Sequence, residues 1–216
     1  MSAGPAVSAD SRCPWCLGDA DYIAYHDHEW GLPVGDDNRL FQALSLEGFQ
    51  AGLSWLTILR KRERFRQVFA GFVIAEVAGF GADDVTRLLA DAGIVRHRGK
   101  IEAVIGNARR ALAAIDEHGS LAAWLWRFEP VADEHRADLA GQPDGSAATV
   151  AANSPARPPA AAASLARELR RQGWRFVGPT TVHAFMQAVG MINDHAPDCP
   201  ARATCEQARA RFIRPG

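Results

Sequence analysis

Apolar residues recur along this chain at the spacing of an α-helix, and this periodicity restricts the fold more than any other feature. One series runs at steps of three and four residues through Phe65, Val68, Phe69 and Phe72. It predicts a helix that continues beyond the basic residues around position 60. Similar series occupy residues 40–44, 85–92, 101–115, 121–125, 165–169 and 182–189. We find no convincing strand and no internal repeat, so the sequence predicts an all-α fold.

Acidic residues precede two of these series at the position of a helix N-cap. Asp36 or Asp37 is placed to cap the helix that enters residues 46–55. Asp83 is placed to cap a shorter helix, which we expect to end at Gly93.

The 216 residues, 48% of them hydrophobic, suffice for a helical domain with its own core. We expect residues 1–12 to be a disordered N-terminus, residues 13–199 to form a single two-lobed domain, and residues 200–216 to form a C-terminal tail. Residues 129–163 are rich in Ala, Pro, Gly and Ser and lack sustained periodicity. This composition predicts a long surface loop that crosses between the lobes.

The formal net charge of −1 argues against a histone-like protein that binds by charge alone. Basic residues nevertheless cluster at 60–66, 96–100 and 167–175, which permits a modest polyanion site. No apolar run approaches membrane-spanning length, and residues 1–10 lack the features of a signal peptide. We therefore expect a cytoplasmic protein that folds alone as a monomer and does not contact membranes.

Cysteine and histidine residues near both chain ends have the chemistry of a metal site. Cys13 and His26 lie near the N-terminus, and His195 and Cys199 lie four residues apart near the C-terminus. Such a Cys₂His₂ set suits tetrahedral Zn²⁺ and leaves no position open for water, so one zinc ion would be a structural staple. Cys16 is a rival to Cys13 or His26, because Cys13-x-x-Cys16 is itself a plausible zinc half-site. Unrelated thiols and histidines are the other alternative.

A single carboxylate, Glu47, interrupts the apolar, glycine-punctuated segment 46–55. An ionised carboxylate in a core costs free energy unless a partner compensates it, and we expect the ligand to be that partner. In the empty pocket the pKa of Glu47 should be raised by desolvation. The alternative is a glutamate that reaches the surface or a basic side chain.

Residues 169–181 indicate a helix, a tight glycine turn and a second helix. A glycine such as Gly178 lets the backbone approach a phosphate, which free N–H groups and the hydroxyl of Thr180 or Thr181 can then bind. A helix-hairpin-helix holds the DNA backbone in this way without reading bases. A plain helical corner is the alternative, although the neighbouring arginines favour the DNA-binding interpretation.

Five segments together carry a resemblance to a known family. In chain order they read YIAYHDHEWG at 22–31, LEGFQAGLSW at 46–55, AGIVRHRGKI at 92–101, FVGPTT at 176–181 and INDH at 192–195. On these segments the chain, from about residue 13 to residue 199, resembles the 3-methyladenine DNA glycosylase I (Tag) family of the helix-hairpin-helix superfamily. Five specific segments in one order leave little room for chance.

The resemblance implies a helix-hairpin-helix glycosylase fold and a base-excision repair activity. The enzyme would hydrolyse the N-glycosidic bond of 3-methyladenine in alkylated double-stranded DNA and leave an abasic site. It implies a base-recognising carboxylate at Glu47 and a structural zinc whose ligands are Cys13, His26, His195 and Cys199. It also implies an aromatic base pocket formed by Trp15, Tyr22, Tyr25 and Trp55. Two departures are His183, where relatives are expected to carry a tyrosine, and residues 145–163, which do not match closely.

N3-methylation makes adenine cationic, so the base leaves readily and selection is the harder task. Aromatic faces favour a cation by about 0.5–2 kcal/mol per contact, and Glu47 can accept hydrogen bonds from the adenine edge. Leu53, beside Gly52, is the candidate wedge that fills the space left by the flipped base. The chain has only two lysines, Lys61 and Lys100, both outside the hairpin, which predicts a monofunctional glycosylase without Schiff-base lyase activity.

Three other interpretations are open on these residues. A zinc nucleobase deaminase needs His-x-Glu and Pro-Cys-x-x-Cys motifs, whereas here Cys13 follows Arg12 and His28-Glu29 lacks the intervening residue. A zinc-stapled DNA-binding module without catalysis would bind duplex DNA equally well with Glu47 replaced. Finally, Asp194 rather than Glu47 could supply the essential carboxylate.

Overall fold

The computed structural model describes residues 11–131 and 158–216, so residues 1–10 of the expected disordered N-terminus and residues 132–157 of the expected crossover loop lie outside it. The described residues form helices and no strands, which confirms the all-α prediction. The α-helices are α1 (Ala20–His28), α2 (Asp37–Gln50), α3 (Trp55–Val68), α4 (Ile74–Ala78), α5 (Ala82–Ala90), α6 (Arg98–His118), α7 (Leu121–Trp126), α8 (Ala160–Arg171), α9 (Pro179–Ala188) and α10 (Pro200–Arg211). Short 3₁₀ helices occupy Pro14–Cys16 and Ala70–Phe72.

Acidic side chains accept hydrogen bonds from backbone N–H groups at the N-termini of α2 and α5. Asp36 caps α2 by accepting a hydrogen bond from the backbone N–H of Arg39, as predicted. The prediction for α5 was wrong in detail, because Gly81 is the N-cap and the carboxylate of Asp84, not Asp83, accepts its N–H. Asp84 is three residues from Gly81, which is the spacing that lets a side chain reach back to the cap.

Helix α3 ends at Val68, four residues before the end of the apolar series. Ala70, Gly71 and Phe72 adopt positive φ angles of 49°, 64° and 57°, which break the helix. Phe69 and Phe72 nevertheless stay buried, with their rings stacked at 5.4 Å between centroids. The periodicity thus predicted burial correctly and the helix end incorrectly, because a tight left-handed turn keeps the same residues on the core side.

Helix α2 is the central element of the fold. It packs against α3, α4, α6, α7 and α9, and a continuous run of its residues from Leu44 to Phe49 is buried. Since Glu47 belongs to this run, the fold surrounds the carboxylate with protein on several sides. None of the helices in the described ranges is long and apolar enough to cross a membrane.

Most of the segment 200–216, expected to be a C-terminal tail, is helical. Residues 200–211 form α10, and Cys205 on it is buried. The carboxylate of Glu129 accepts hydrogen bonds from Arg209 and Arg214, with N–O distances of 2.9 and 2.8 Å. These contacts hold the last residues of the chain against the end of the helical domain. Helix α8 begins at Ala160, inside the segment expected to be a loop.

Candidate active site

Glu47 lies in the last turn of α2 and is only 5% exposed. No residue in the described part of the chain donates a hydrogen bond to its carboxylate. Burial raises the pKa of Glu47 from its usual 4.5 to about 8. The structure therefore agrees with a buried, desolvated carboxylate and does not support a glutamate that reaches the surface or a basic side chain.

A cavity of about 80 Å³ lies beside this carboxylate, several times the space that one water molecule needs. Glu47, Tyr25 and Trp55 line it together, and the Tyr25 and Trp55 ring centroids are 5.5 Å apart. Burial, with a smaller contribution from the charge of Glu47, raises the pKa of Tyr25 well above its usual value, so its hydroxyl stays protonated. A cation in this cavity would meet the Glu47 carboxylate and two π-systems. Three arginines also line the cavity, of which Arg62 pairs with Glu29 and Arg66 with Glu63, while Arg39 is the third.

The other two predicted aromatics, Trp15 and Tyr22, pack behind this wall. Trp15 contacts Tyr22 and Tyr25 edge-on at 5.6 and 6.4 Å between centroids. The hydroxyl of Tyr22 accepts a hydrogen bond from the backbone N–H of Leu56 at 2.9 Å, which ties α1 to the start of α3. The indole N–H groups of Trp15 and Trp55 are buried and have no hydrogen-bond partner among the described residues. The structure thus brings the four predicted aromatics into one cluster.

Trp30 belongs to the same cluster and was missed from the sequence. Its ring lies 5.0 Å from that of Trp15 and 4.6 Å from that of His195. Trp30 therefore connects the aromatic wall with the Cys/His group described next. Its position inside the segment 22–31, which carries part of the resemblance, was the signal that could have identified it.

Three of the four predicted metal ligands converge. The ligand atoms of Cys13, His26 and Cys199 all lie within 4.8 Å of one another, and all three residues are buried. The Cys199 Sγ to His26 Nε2 distance is 3.4 Å. Zinc–sulfur and zinc–nitrogen bonds of about 2.3 and 2.0 Å at a tetrahedral angle place two such atoms about 3.5 Å apart.

His195, the fourth predicted ligand, lies beside this group, but its ring nitrogens are not among the atoms that converge within 4.8 Å. Its ring centroid is 4.9 Å from that of His26, and its Nδ1 is 2.9 Å from the side-chain oxygen of Asn193. Its Nε2 is buried and has no hydrogen-bond partner within the described ranges. Burial lowers the pKa of His195 to about 4, which keeps the imidazole neutral. A neutral ring with one nitrogen oriented by an outer partner and the other unpaired is typical of a metal ligand.

The remaining cysteines point elsewhere. The thiol of Cys16 donates to the carbonyl oxygen of Cys13 at 3.1 Å, and that of Cys205 donates to the carbonyl oxygen of Trp30 at 3.6 Å. Burial raises the pKa of each thiol to about 11. Cys16 is not a member of the convergent group, so the alternative in which it replaces Cys13 or His26 is not supported.

Asp194 and His183 form a separate buried network. Asp194 Oδ2 accepts a hydrogen bond from Gln187 at 2.6 Å and lies 3.2 Å from His183 Nε2. Neither Asp194 nor His183 lines the cavity beside Glu47. The geometry therefore favours Glu47 over Asp194 as the carboxylate that meets a ligand, and it removes His183 from the cavity wall.

The turn from α2 to α3 projects from the surface. Gly52 has a φ of +83°, and the adjacent Leu53 is 40% exposed, although it is a large apolar residue. Leu53 N–H donates to the Gln50 carbonyl at 2.6 Å, and the Gln50 side chain donates to the Leu53 carbonyl at 2.7 Å. The turn therefore presents Leu53 from a hydrogen-bonded frame.

The helix-hairpin-helix formed by α8 and α9 packs against α2, where Phe176 lies close to Gly48. Gly173, with a φ of +82°, makes the tight turn, whereas Gly178 has a φ of −68° and is the N-cap of α9. Thr180 is exposed in the first turn of α9. The hydroxyl of Thr180 is therefore accessible at this helix N-terminus, where phosphate binding is expected.

One of the three basic clusters is neutralised by acidic residues. Arg60 pairs with Asp19 and Asp21 at 2.6 and 2.9 Å. The neighbouring pairs are Arg62 with Glu29, Arg64 with Asp91 and Arg66 with Glu63. The segment 60–66 is thus a face of ion pairs and does not support a polyanion site.

Comparison with known proteins places these features in a family. The family model described as methyladenine glycosylase matches residues 15–203. DNA-3-methyladenine glycosylase 1 of Escherichia coli (strain K12) is 45% identical over 188 residues, which cover 87% of this chain and 95% of that protein.

Two solved structures have the same fold as this chain. The structure of 3-methyladenine DNA glycosylase I from Staphylococcus aureus has a TM-score of 0.74 and 34% identity, covering 88% of this chain and 95% of that one. A variant of 3-methyladenine DNA glycosylase I in complex with 3-methyladenine has a TM-score of 0.75 and 32% identity, covering 89% and 98%. Sequence and structure agree over most of the length, which confirms the resemblance: this chain belongs to the methyladenine glycosylase family.

Proposed function

We propose that this chain hydrolyses the N-glycosidic bond of 3-methyladenine in alkylated duplex DNA, releases the free base and leaves an abasic site. The observation that carries the proposal is the buried carboxylate of Glu47, which has no hydrogen-bond donor among the described residues and shares a cavity with Tyr25 and Trp55. The relatives named as 3-methyladenine DNA glycosylases support the same substrate.

Selection follows from the charge of the lesion. An ionised Glu47 in the empty cavity is disfavoured, as its pKa of about 8 shows, and a cationic base compensates the negative charge. Neutral adenine gains less from the carboxylate and from the rings of Tyr25 and Trp55. The damaged base is also cheaper to extrude from the duplex, at a cost of a few kcal/mol. Discrimination is therefore electrostatic and combines with cavity shape.

The chemistry requires little proton transfer. A 3-methylated adenine departs as a neutral base, so the protein has to hold the flipped nucleotide while water attacks C1′ of the oxocarbenium-like sugar. Leu53, supported by Gly52, fills the vacated position in the stack. The start of α9, at Gly178 and Thr180, holds the DNA backbone.

We further propose one structural zinc ion held by Cys13, His26, His195 and Cys199. The 3.4 Å sulfur–nitrogen contact and the unpaired Nε2 of His195 fit a tetrahedral site. Four protein ligands would supply a crosslink between the chain ends and no reactive metal-bound water. Zinc deaminase chemistry gains no support, because Glu29, the glutamate of the His28-Glu29 pair, is bound by Arg62.

The enzyme is proposed to be monofunctional, monomeric and cytoplasmic. Lys100 is buried, and Lys61 donates to the backbone carbonyls of Ala92 and Gly93. Neither lysine lines the cavity beside Glu47, so neither is placed for Schiff-base formation.

The decisive experiment is chromatography of the bases released from methylated duplex DNA by wild type, Glu47→Gln and Glu29→Gln. Glu29 is a matched control, because it lines the same cavity but is paired with Arg62. We expect wild type to release 3-methyladenine, Glu47→Gln to be slower by roughly tenfold to a hundredfold, and Glu29→Gln to lose less.

The three enzymes must have matching circular dichroism spectra for the comparison to hold. If wild type binds duplex DNA but releases no base, the chain is a DNA-binding module. If folded Glu47→Gln is as active as wild type, the catalytic role of this carboxylate is refuted.

A further inference from the structure

Lys100 is a buried lysine that contacts the backbone at the end of α2. Its ammonium group donates hydrogen bonds to the carbonyl oxygens of Phe49 and Ala51, at 2.8 and 2.6 Å. The residue is only 7% exposed and reaches from the first turn of α6 across to the C-terminal end of α2. About fifty residues of chain separate the partners, so the contact exists only in the folded protein.

The position of the ammonium group explains why this contact matters. The last carbonyl groups of a helix have no intrahelical partner, and a cation there interacts favourably with the helix dipole. Phe49 and Ala51 lie on either side of Gln50, whose backbone and side chain hold Leu53. Lys100 therefore fixes the backbone from which the exposed α2–α3 turn projects.

The same ammonium group lies close to the connection between α8 and α9, which is the second segment proposed to face DNA. Its Nζ is 6.0 Å from the centre of the Phe176 ring, in the connection between α8 and α9. Phe176 has a positive φ of 56° and packs on Gly48. Lys100 thus sits where the turn that carries Leu53 meets the hairpin that carries Gly178.

We infer that Lys100 is a positioning residue for base extrusion: it holds the α2–α3 turn so that Leu53 enters the DNA stack in register with the hairpin. The inference rests on the proposed glycosylase function and on Leu53 as the wedge. Lys100 itself need not touch the lesion, since its hydrogen bonds go to the backbone of α2. A displacement of about 1 Å at a positioning element can cost on the order of a hundredfold in rate.

The chain offers a matched control for this role, because its only other lysine makes a similar contact elsewhere. Lys61 donates to the carbonyl oxygens of Ala92 and Gly93, at 3.0 and 3.2 Å, on the ion-paired face of α3. In single-turnover excision of 3-methyladenine from duplex DNA, we expect Lys100→Met to be slower by roughly tenfold to a hundredfold. Lys61→Met should stay within about threefold of wild type, a factor well below that of a lost positioning contact.

The affinity for the free base distinguishes a role of Lys100 in the α2–α3 turn from a role in the cavity. Neither lysine lines the cavity beside Glu47, so quenching of tryptophan fluorescence by free 3-methyladenine should give the same affinity for wild type, Lys100→Met and Lys61→Met. A loss of base affinity in Lys100→Met equal to its loss of excision rate would overturn the inference, because Lys100 would then support the cavity.

A double-mutant cycle with Leu53→Ala tests whether Lys100 acts through the wedge. If it does, Lys100→Met should slow the Leu53→Ala enzyme far less than it slows wild type. Full additivity would overturn the inference. Should Lys100→Met fail to fold, Lys100→Arg enters the same cycle, since it keeps the charge but shifts both donors, and additivity there is equally contradictory.

The two proposals fail in different ways. If wild type releases no 3-methyladenine, the proposed function is wrong whatever Lys100 does. If wild type is active and Lys100→Met matches Lys61→Met, the function stands and the positioning role of Lys100 is refuted.

Discussion

Burial of Glu47 is unfavourable for the folded chain, and this single residue shows how a site can conflict with stability. Burial at a core position raises the pKa of Glu47 to about 8, and residues 11–131 and 158–216 offer its carboxylate no hydrogen-bond donor. An apolar or neutral residue there would avoid the desolvation of a charge. The carboxylate is therefore best explained by a cationic ligand that compensates it, as sites commonly trade stability for function.

The pKa of Glu47 predicts how stability depends on pH. Because the folded pKa is above the ordinary value of 4.5, the folded state binds more protons between about pH 4.5 and pH 8. Preferential protonation of Glu47 in the folded state should thus stabilise the fold fully below pH 4.5. This stabilisation should be lost as the pH rises to 8.

Glu47→Gln removes this titration. We expect it to be more stable than wild type at pH 8, with a smaller difference at pH 5, in urea denaturation measured at both values. An equal difference at the two pH values would show that Glu47 does not titrate abnormally.

Tyr22 and Tyr25 should respond differently to loss of the hydroxyl. Tyr22→Phe leaves the Leu56 N–H without its partner, which should cost about 1 kcal/mol in the free energy of unfolding. Tyr25→Phe removes a hydroxyl for which the described residues provide no hydrogen bond, so its effect should fall mainly on base affinity. Thermal unfolding and fluorescence titration with 3-methyladenine check both; a stable Tyr22→Phe would contradict the anchoring role.

At the scale of elements, helix ends account for most of the site geometry. The C-terminal end of α2 carries Glu47 and the turn with the proposed wedge Leu53, and the N-terminus of α9 carries the proposed phosphate site. Free backbone groups at helix ends are available to ligands and to capping side chains. Most helix positions were predictable from apolar periodicity, but the break at Ala70 was not, because it depends on how Phe72 packs.

The two hairpin glycines should differ in what they contribute. Gly173 has a φ of +82°, and a Cβ there would lie 2.7 Å from Nε of Arg110, so Gly173→Ala should cost at least about 1–2 kcal/mol of stability. Gly178 has an ordinary φ, and its added Cβ would meet only the end of the Arg170 side chain at 3.3 Å.

Gly178→Ala should therefore unfold nearly like wild type in urea but bind duplex DNA more weakly, because the methyl group obstructs approach of a phosphate. Equal DNA affinity of Gly178→Ala and wild type would remove this glycine from the DNA interface.

At the scale of the whole molecule, the Cys/His group joins segments that are 170 or more residues apart. Cys13 and His26 come from the first residues described, and Cys199 directly precedes α10. A crosslink between such distant positions stabilises a fold chiefly by restricting the unfolded chain. The aromatic wall contacts this group through Trp30, so the proposed zinc staple would also support the cavity beside Glu47.

Metal removal should reveal this coupling. We expect about one zinc per chain by elemental analysis, a lower melting temperature after chelation, and loss of zinc in Cys199→Ala, whose ligand is removed. Cys205→Ala is the matched control, because this buried thiol donates to the Trp30 carbonyl and is not a member of the convergent group. The variant should therefore retain zinc. An unchanged melting temperature after chelation would contradict a structural metal.

The sequence by itself determined the helical class, the burial of Glu47, three members of the Cys/His group (Cys13, His26 and Cys199) and the family. Periodicity, composition and motif order are properties of the chain read locally. Only the tertiary structure decided that Asp194 is paired with Gln187, that Arg60 is neutralised by Asp19 and Asp21, and that Lys100 holds the end of α2. These outcomes depend on which distant side chains approach one another. That approach is set by the packing of α2 among its neighbours, which no local pattern encodes.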